Sequence, residues 1–387
     1  MTDGPPDAGK KRGVFFPNLD ALRFFAFLSV FLSHSFHSEQ RAVLDDPLYQ
    51  AILMVKSAGA MGVNFFFVLS GFLITYLLLE ENELRGRIDV PAFYVRRALR
   101  IWPLYYVVVA FGFFVYPILK AGAGRAGTES AHLLAYLCFG GNFDIIFNGR
   151  MPDSSLLGVL WSLAVEEQFY LCWPLAMRVV PTRHLPKLFA AMLVGTMVYR
   201  HVSYTDSYRL DFGTFSVISD MVVGAALAYY GRGEAPWLMR LRHIGRPAIA
   251  AVYLLGLPAV YVLFRIQATG PWIATFSRLL IGLFFAFVIF EQNDAERSFV
   301  KLGRSRLLGE LGKITYGLYC LHFVGILVVL NVNRKVFHLN TSVWQVLLLE
   351  TAAALVVTIV VSAVSYRWFE KPFLRFKDRF SRTEPRP

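Results

Sequence analysis

An arginine and a histidine stand eleven residues apart in the first membrane-length apolar run, at Arg23 and His34 of LDALRFFAFLSVFLSH. An ionisable side chain in hydrocarbon costs at least ~2.5–3.5 kcal/mol, and such residues tend to mark functional polar paths. Eleven helical residues rise roughly 16 Å and return to nearly the same face. One helix would therefore carry a deep guanidinium and an imidazole near its exit along one side. An imidazole titrates near neutrality, so it can take a proton from a hydroxyl and give it back. Asp20, three residues before Arg23, is spaced to pair with it and lower the cost of both charges.

Three further groups stand out. Arg96, Arg97 and Arg100 lie in the stretch Phe93 to Pro103, with Arg97 and Arg100 on a shared helical face. Guanidinium forks hold phosphates through paired hydrogen bonds. A basic anchor at a membrane edge, with Trp102 and Tyr105 in the aromatic belt, has the same spacing. In WSLAVEEQFY, Trp161 opens the segment, and Ser162, Glu166 and Tyr170 fall at i, i+4 and i+8 on one face. Acids inside a membrane helix need partners or a wet cavity. Glu167 points about 100° away, where the helix N-terminal dipole accounts for it. Tyr316, Tyr319 and His322 repeat every three residues, and Asp220 is a lone acid in an apolar run. Each of these four also reads as one partner of an interhelical hydrogen bond.

The elements that must position these groups are helices in a membrane. The 387 residues are 56% hydrophobic and 16% aromatic. Long apolar stretches recur from end to end, predicting an all-α, polytopic helix bundle of about ten spans. They fall near 15–36, 60–80, 101–119, 161–180, 187–201, 213–231, 247–265, 272–291, 313–331 and 344–366. The stretch 131–147 is apolar but Gly-rich and reads as re-entrant or interfacial. The net charge is +12, and most of the 39 basic residues fall in alternate loops and the two tails. That asymmetry predicts cytoplasmic termini. It also argues against nucleic-acid binding, because no basic stretch belongs to a soluble domain. The segment after Lys10-Lys11-Arg12 is too long for a cleavable signal core and reads as a signal anchor.

Residues 1–14 form a cytoplasmic N-terminus, 15–375 the membrane domain and 376–387 a cytoplasmic tail. Met1 to Gly13 and Ser381 to Pro387 read as disordered. Cys138, Cys172 and Cys320 lie in apolar segments without ligand spacing, so they read as buried small hydrophobes, and no metal site is expected.

These segments, in this order, resemble acyltransferase family 3 of integral membrane O-acyltransferases. The resemblance covers about residues 15 to 375. Arg23 and His34 match the family's Arg-x10-His motif, and Arg97 and Arg100 its Arg-x-x-Arg motif. GVNFFFVLSGFLIT resembles its second helix, and WSLAVEEQFYLCWPL is the most specific match. ITYGLYCLHF and YRWFEKPFLRF fit its end. Where relatives often carry Arg-x-Asp on the sixth helix, this chain has Ile218-Ser219-Asp220 and keeps only the acid, so the role of that arginine is either absent or supplied from elsewhere, Arg209 being one candidate. Some relatives append a soluble esterase-like domain, and the resemblance here implies the membrane unit alone.

The resemblance implies transfer of an acyl group, commonly acetyl, from cytoplasmic acyl-CoA to a hydroxyl of a carbohydrate or small-molecule acceptor. It implies residence in the bacterial cytoplasmic membrane. Coenzyme A phosphates would meet Arg97 and Arg100, and the thin arm would follow a polar path toward His34. His34 would serve as general base, with Glu166 orienting its imidazolium and Arg23 and nearby tyrosines stabilising the oxyanion. Direct transfer and an acyl-histidine relay both fit. A secondary transporter of protons or polar metabolites would use the same intramembrane charges, but no paired halves of an inverted repeat are apparent.

Overall fold

The structure, a computed structural model, describes residues 16–122, 124, 127–233, 235–337 and 339–380. The two tails expected to be disordered lie outside the described residues. Ten main helices carry the chain. They are α1 Pro17–His34, α2 Met61–Arg85, α3 Val90–Ala110, α4 Leu160–Val179 and α5 Leu185–Val202. The rest are α6 Thr214–Arg232, α7 Arg246–Ile266, α8 Pro271–Asn293, α9 Thr315–Val332 and α10 Thr351–Ser365. Among the described residues there is no strand. Proline in the first turn of α1, α3, α5, α7 and α8 starts those helices without losing a hydrogen bond. The Asp89 side chain caps α3, and Gly86, at φ 68°, closes α2 in the left-handed conformation.

Helices form at all ten expected places, but among the described residues seven segments are long and apolar enough to cross a membrane. The three that fall short are α1, α4 and α5. Each carries charge within its length: Asp20 and Arg23, Glu166 and Glu167, Lys187 and Arg200. The third crossing is also longer than expected. From Val90 it runs through a wide turn at Phe111–Val115 to Gly122, 33 residues in all. The stretch 131–147 is two short helices, Leu133–Leu137 and Gly141–Asn148, neither of them long enough to span. Gln168 of α4 donates to the Phe139 carbonyl and to Asn142 there, so this stretch buttresses α4.

Two facts describe how the bundle is held. The face of α7 around Leu254, Leu255 and Leu257 is exposed, an apolar surface that suits lipid. Inside, α2 and α6 cross at backbone contact. A Cβ on Gly71 would strike the Met221 carbonyl, and one on Gly224 would strike the Val68 carbonyl. Small residues at such crossings let helices gain van der Waals contact where lipid offers no hydrophobic drive. Gly224→Val should therefore destabilise the protein by about 1–3 kcal/mol, the usual cost of overpacking. Gly195→Ala, whose Cβ would meet no atom within 4 Å, should be neutral or slightly stabilising. Thermal unfolding in detergent distinguishes the two. Equal melting temperatures would show that the crossing can relax.

Candidate active site

The polar side chains of the bundle line two adjoining cavities. The first is about 350 Å³ and is bounded by α1, α2, α3, α4 and α9. It gathers Asp20, Arg23, Ser70, Arg97, Arg100, Glu166 and Tyr170 among apolar side chains. Arg23 donates to Asp20 at 2.5 Å, the pairing expected from their spacing. Arg96 also lines this cavity but is buried and paired with Glu81 at 2.8 Å. Arg97 lies over the rings of Tyr170 and Phe93, 5.5 and 5.6 Å from their centroids. Among the described residues, neither Arg97 nor Arg100 is held in an ion pair. Glu166 accepts from Ser70 at 2.7 Å and from Tyr170 at 3.2 Å, and Tyr170 also donates to Ser70 at 3.1 Å. Glu167 points away, as its spacing predicts, but it lies two turns inside α4, beyond the reach of the N-terminal dipole, and accepts from the Trp102 indole at 3.1 Å. The result is a pocket with two guanidiniums that no carboxylate among the described residues bonds directly.

The second cavity, about 420 Å³, holds His34, Asn64, Trp161, Asp211, Gln267 and Arg278. His34 Nδ1 lies 3.0 Å from His322 Nε2, so the two imidazoles form a pair across α1 and α9. Trp161 packs edge-on to Phe67 and Phe212 at 5.9 and 5.0 Å. Val63 and Tyr319 line both cavities and form the partition between them. Ser162 and Tyr319 join their hydroxyls at 2.7 Å there, while Tyr316 donates to the Ile101 carbonyl at 2.6 Å.

Four expectations change. Cys138 and Cys172, expected to be buried, are exposed, and of the three cysteines Cys320 alone is buried. Arg23 and His34 share a helix but not a cavity: one lines each. Glu166 does not meet His34 either. It belongs to the arginine cavity, and the partner of His34 is His322. Asp220 does take an arginine supplied from elsewhere, but it is not Arg209. Arg278 of α8 pairs with it at 2.7 Å, and Asn64 donates to the same carboxylate at 3.1 Å. Arg209 instead bonds the exposed Asp206 at 3.1 Å. Residues missed from sequence are Ser70, Asn64, Arg278 and Arg200. The last is fully buried and spends its donors on Ser216, Gln267 and the Ala274 carbonyl. Intramembrane position was the available signal for both arginines. Asn64 and Ser70 lay within the quoted GVNFFFVLSGFLIT segment and gave no signal beyond their polarity. Among the described residues, no three His, Cys, Asp or Glu side chains gather as a metal site.

Fold and site together define an all-helical integral membrane protein with a charged cavity joined to an imidazole cavity inside its bundle. Residues 16–367 match the family described as Acyltransferase domain, and the chain belongs to that family. It is 26% identical to peptidoglycan O-acetyltransferase OatA of Listeria monocytogenes over 392 residues, which cover 94% of this chain and 58% of that protein. It is 27% identical to O-acetyltransferase OatA of Staphylococcus aureus over 373 residues, covering 92% of this chain and 57% of that one. The chain thus spans a little more than half the length of these relatives. No solved structure matches it.

Proposed function

We propose that the protein is a membrane O-acetyltransferase that moves an acetyl group from cytoplasmic acyl-CoA to a hydroxyl of a carbohydrate. The observation that carries this reading is the pair of adjoining cavities, one with unpaired arginines and one with an imidazole. A polyphosphate donor suits the first. A neutral hydroxyl awaiting deprotonation suits the second. The relatives' names include peptidoglycan O-acetylation, which favours a glycan as acceptor. In this reading all ten helices sit in the membrane and both termini are cytoplasmic, as the distribution of Lys and Arg favours.

Arg97 and Arg100 take the phosphates, and the acyl end of the arm reaches the Val63–Tyr319 partition. Glu166, bonded to Ser70 and Tyr170, stiffens the wall over which Arg97 lies. His34, on the far side, removes the proton of the acceptor hydroxyl. The acceptor oxygen bonds to the thioester carbon, the C–S bond breaks, and the sulfur leaves with the proton that His34 returns. Arg23, anchored by Asp20, and Tyr319, anchored by Ser162, are assigned to the oxyanion.

Acetyl-CoA should raise the melting temperature of the purified protein, and in oriented vesicles should support transfer only from the cytoplasmic face. Arg97→Lys keeps the charge but loses the fork, so donor affinity should fall about tenfold. Arg97→Ala with Arg100→Ala should remove the stabilisation. Normal donor binding by that double variant would refute the donor site.

A further inference from the structure

The hydrogen bonds behind His34 determine which of its nitrogens is bare. His322 Nδ1 lies 2.7 Å from the backbone carbonyl of Tyr319. A carbonyl only accepts, so this nitrogen carries the proton of neutral His322. The lone pair of His322 is then on Nε2, and Nε2 faces His34 Nδ1 at 3.0 Å. His34 must donate from Nδ1, which leaves its own lone pair on Nε2. The two rings lie nearly parallel, 17° apart in plane, so the bond is made edge to edge along the chain of nitrogens. His322 is fully buried among Phe27 and Phe323 and lines neither cavity. His34 is half-buried and lines the second cavity. Among the described residues, no carboxylate bonds either ring.

We propose that His322 is the positioning residue of His34, holding it in the tautomer whose Nε2 accepts the acceptor's proton. It stands where a catalytic triad has its carboxylate. The proposal rests on reading His34 as the base. When Nε2 takes the hydroxyl proton, His34 becomes an imidazolium that keeps its Nδ1 proton and still donates it to His322 Nε2. His322 stays neutral, polarised by its own bond to Tyr319. When the thioester C–S bond breaks, the proton passes from Nε2 to the sulfur, and the pair returns to its starting state. An imidazole suits this place because its shell is apolar. A buried carboxylate among phenylalanines would carry an uncompensated charge in every resting state, whereas a neutral imidazole does not. Charge appears only during transfer.

The test compares two replacements of His322 in the full-length membrane protein. Gln can offer its amide oxygen near the place of Nε2 and accept from His34. Leu fills the space without accepting. His322→Gln is expected to keep kcat within about tenfold of wild type, and His322→Leu to lose roughly 10²–10⁴-fold, the share of a general base. KM for acetyl-CoA should be unchanged in both, because His322 lies outside the arginine cavity. Adding His322→Leu to His34→Gln should cost little more than His34→Gln alone, since residues that act as a unit are not additive. If the Leu variant fails to fold, His322→Phe, which keeps a ring against Phe27 and Phe323, takes its place. Wild-type kcat in His322→Leu or His322→Phe would overturn the proposal, as would equal losses in the Gln and Leu variants. If His34→Gln itself transferred normally, the base assignment would fail instead, so the two failures are distinguishable.

Discussion

His34→Gln should fold, bind acetyl-CoA as the parent does and lose roughly 10²–10⁴-fold in transfer, the usual contribution of a general base. His34 lines the cavity beyond the Val63–Tyr319 partition and takes no part in the arginine cavity, so its loss leaves the donor site whole. Glutamine keeps a polar group opposite His322 but cannot take up a proton near neutral pH. His34→Ala should be at least as poor. The measurement is single-turnover acetyl transfer with donor binding checked in parallel. Near-normal transfer by the Gln variant would leave His34 a positioning role and move the proton to another group. Glu166 is a poor substitute, since it lines the other cavity and is already bonded to Ser70 and Tyr170.

Much of this site was legible because helical periodicity is a local property. The Arg23–His34 spacing fixed their common helix, and Asp20 was correctly matched to Arg23. Ser162, Glu166 and Tyr170 were expected on one face. All three line or border the arginine cavity, though Ser162 turns to Tyr319 at the partition. The positions of the helices followed from hydropathy within a few residues for most of them. What spacing does not contain is which helix stands beside which. The separation of Glu166 from His34, the His34–His322 pair and the Arg278–Asp220 pair all depend on lateral packing over more than fifty residues of sequence. The span count suffers from a related conflict. The residues that make α1, α4 and α5 interesting are the charges that lower their apolar character. Charges inside a bundle are tolerated when neighbouring helices satisfy them, and a sequence window does not see neighbours.

The second large effect concerns stability. Asp220 is fully buried, and its pairing with Arg278 at 2.7 Å is reinforced by Asn64 at 3.1 Å. Arg200, in the same region of the bundle, is satisfied by neutral oxygens: Ser216, Gln267 and the Ala274 carbonyl. Removing Asp220 would therefore leave Arg278 charged and buried with its hydrogen-bonded carboxylate gone. Breaking a buried pair in this way costs about 3–5 kcal/mol. Asp220→Ala should show that loss in reversible unfolding in mixed micelles. Asp220→Asn should lose less, because the shape and a carbonyl acceptor survive. The decisive comparison is Asp220→Leu combined with Arg278→Met. Replacing both charges by apolar groups removes the desolvation cost along with the attraction, so the double variant should regain most of the stability that Asp220→Ala loses. If Asp220→Ala unfolded like the parent, the pair would contribute nothing net. If the double variant were as unstable as the single one, the loss would come from packing around Asn64 and Gly282 and not from the stranded charge.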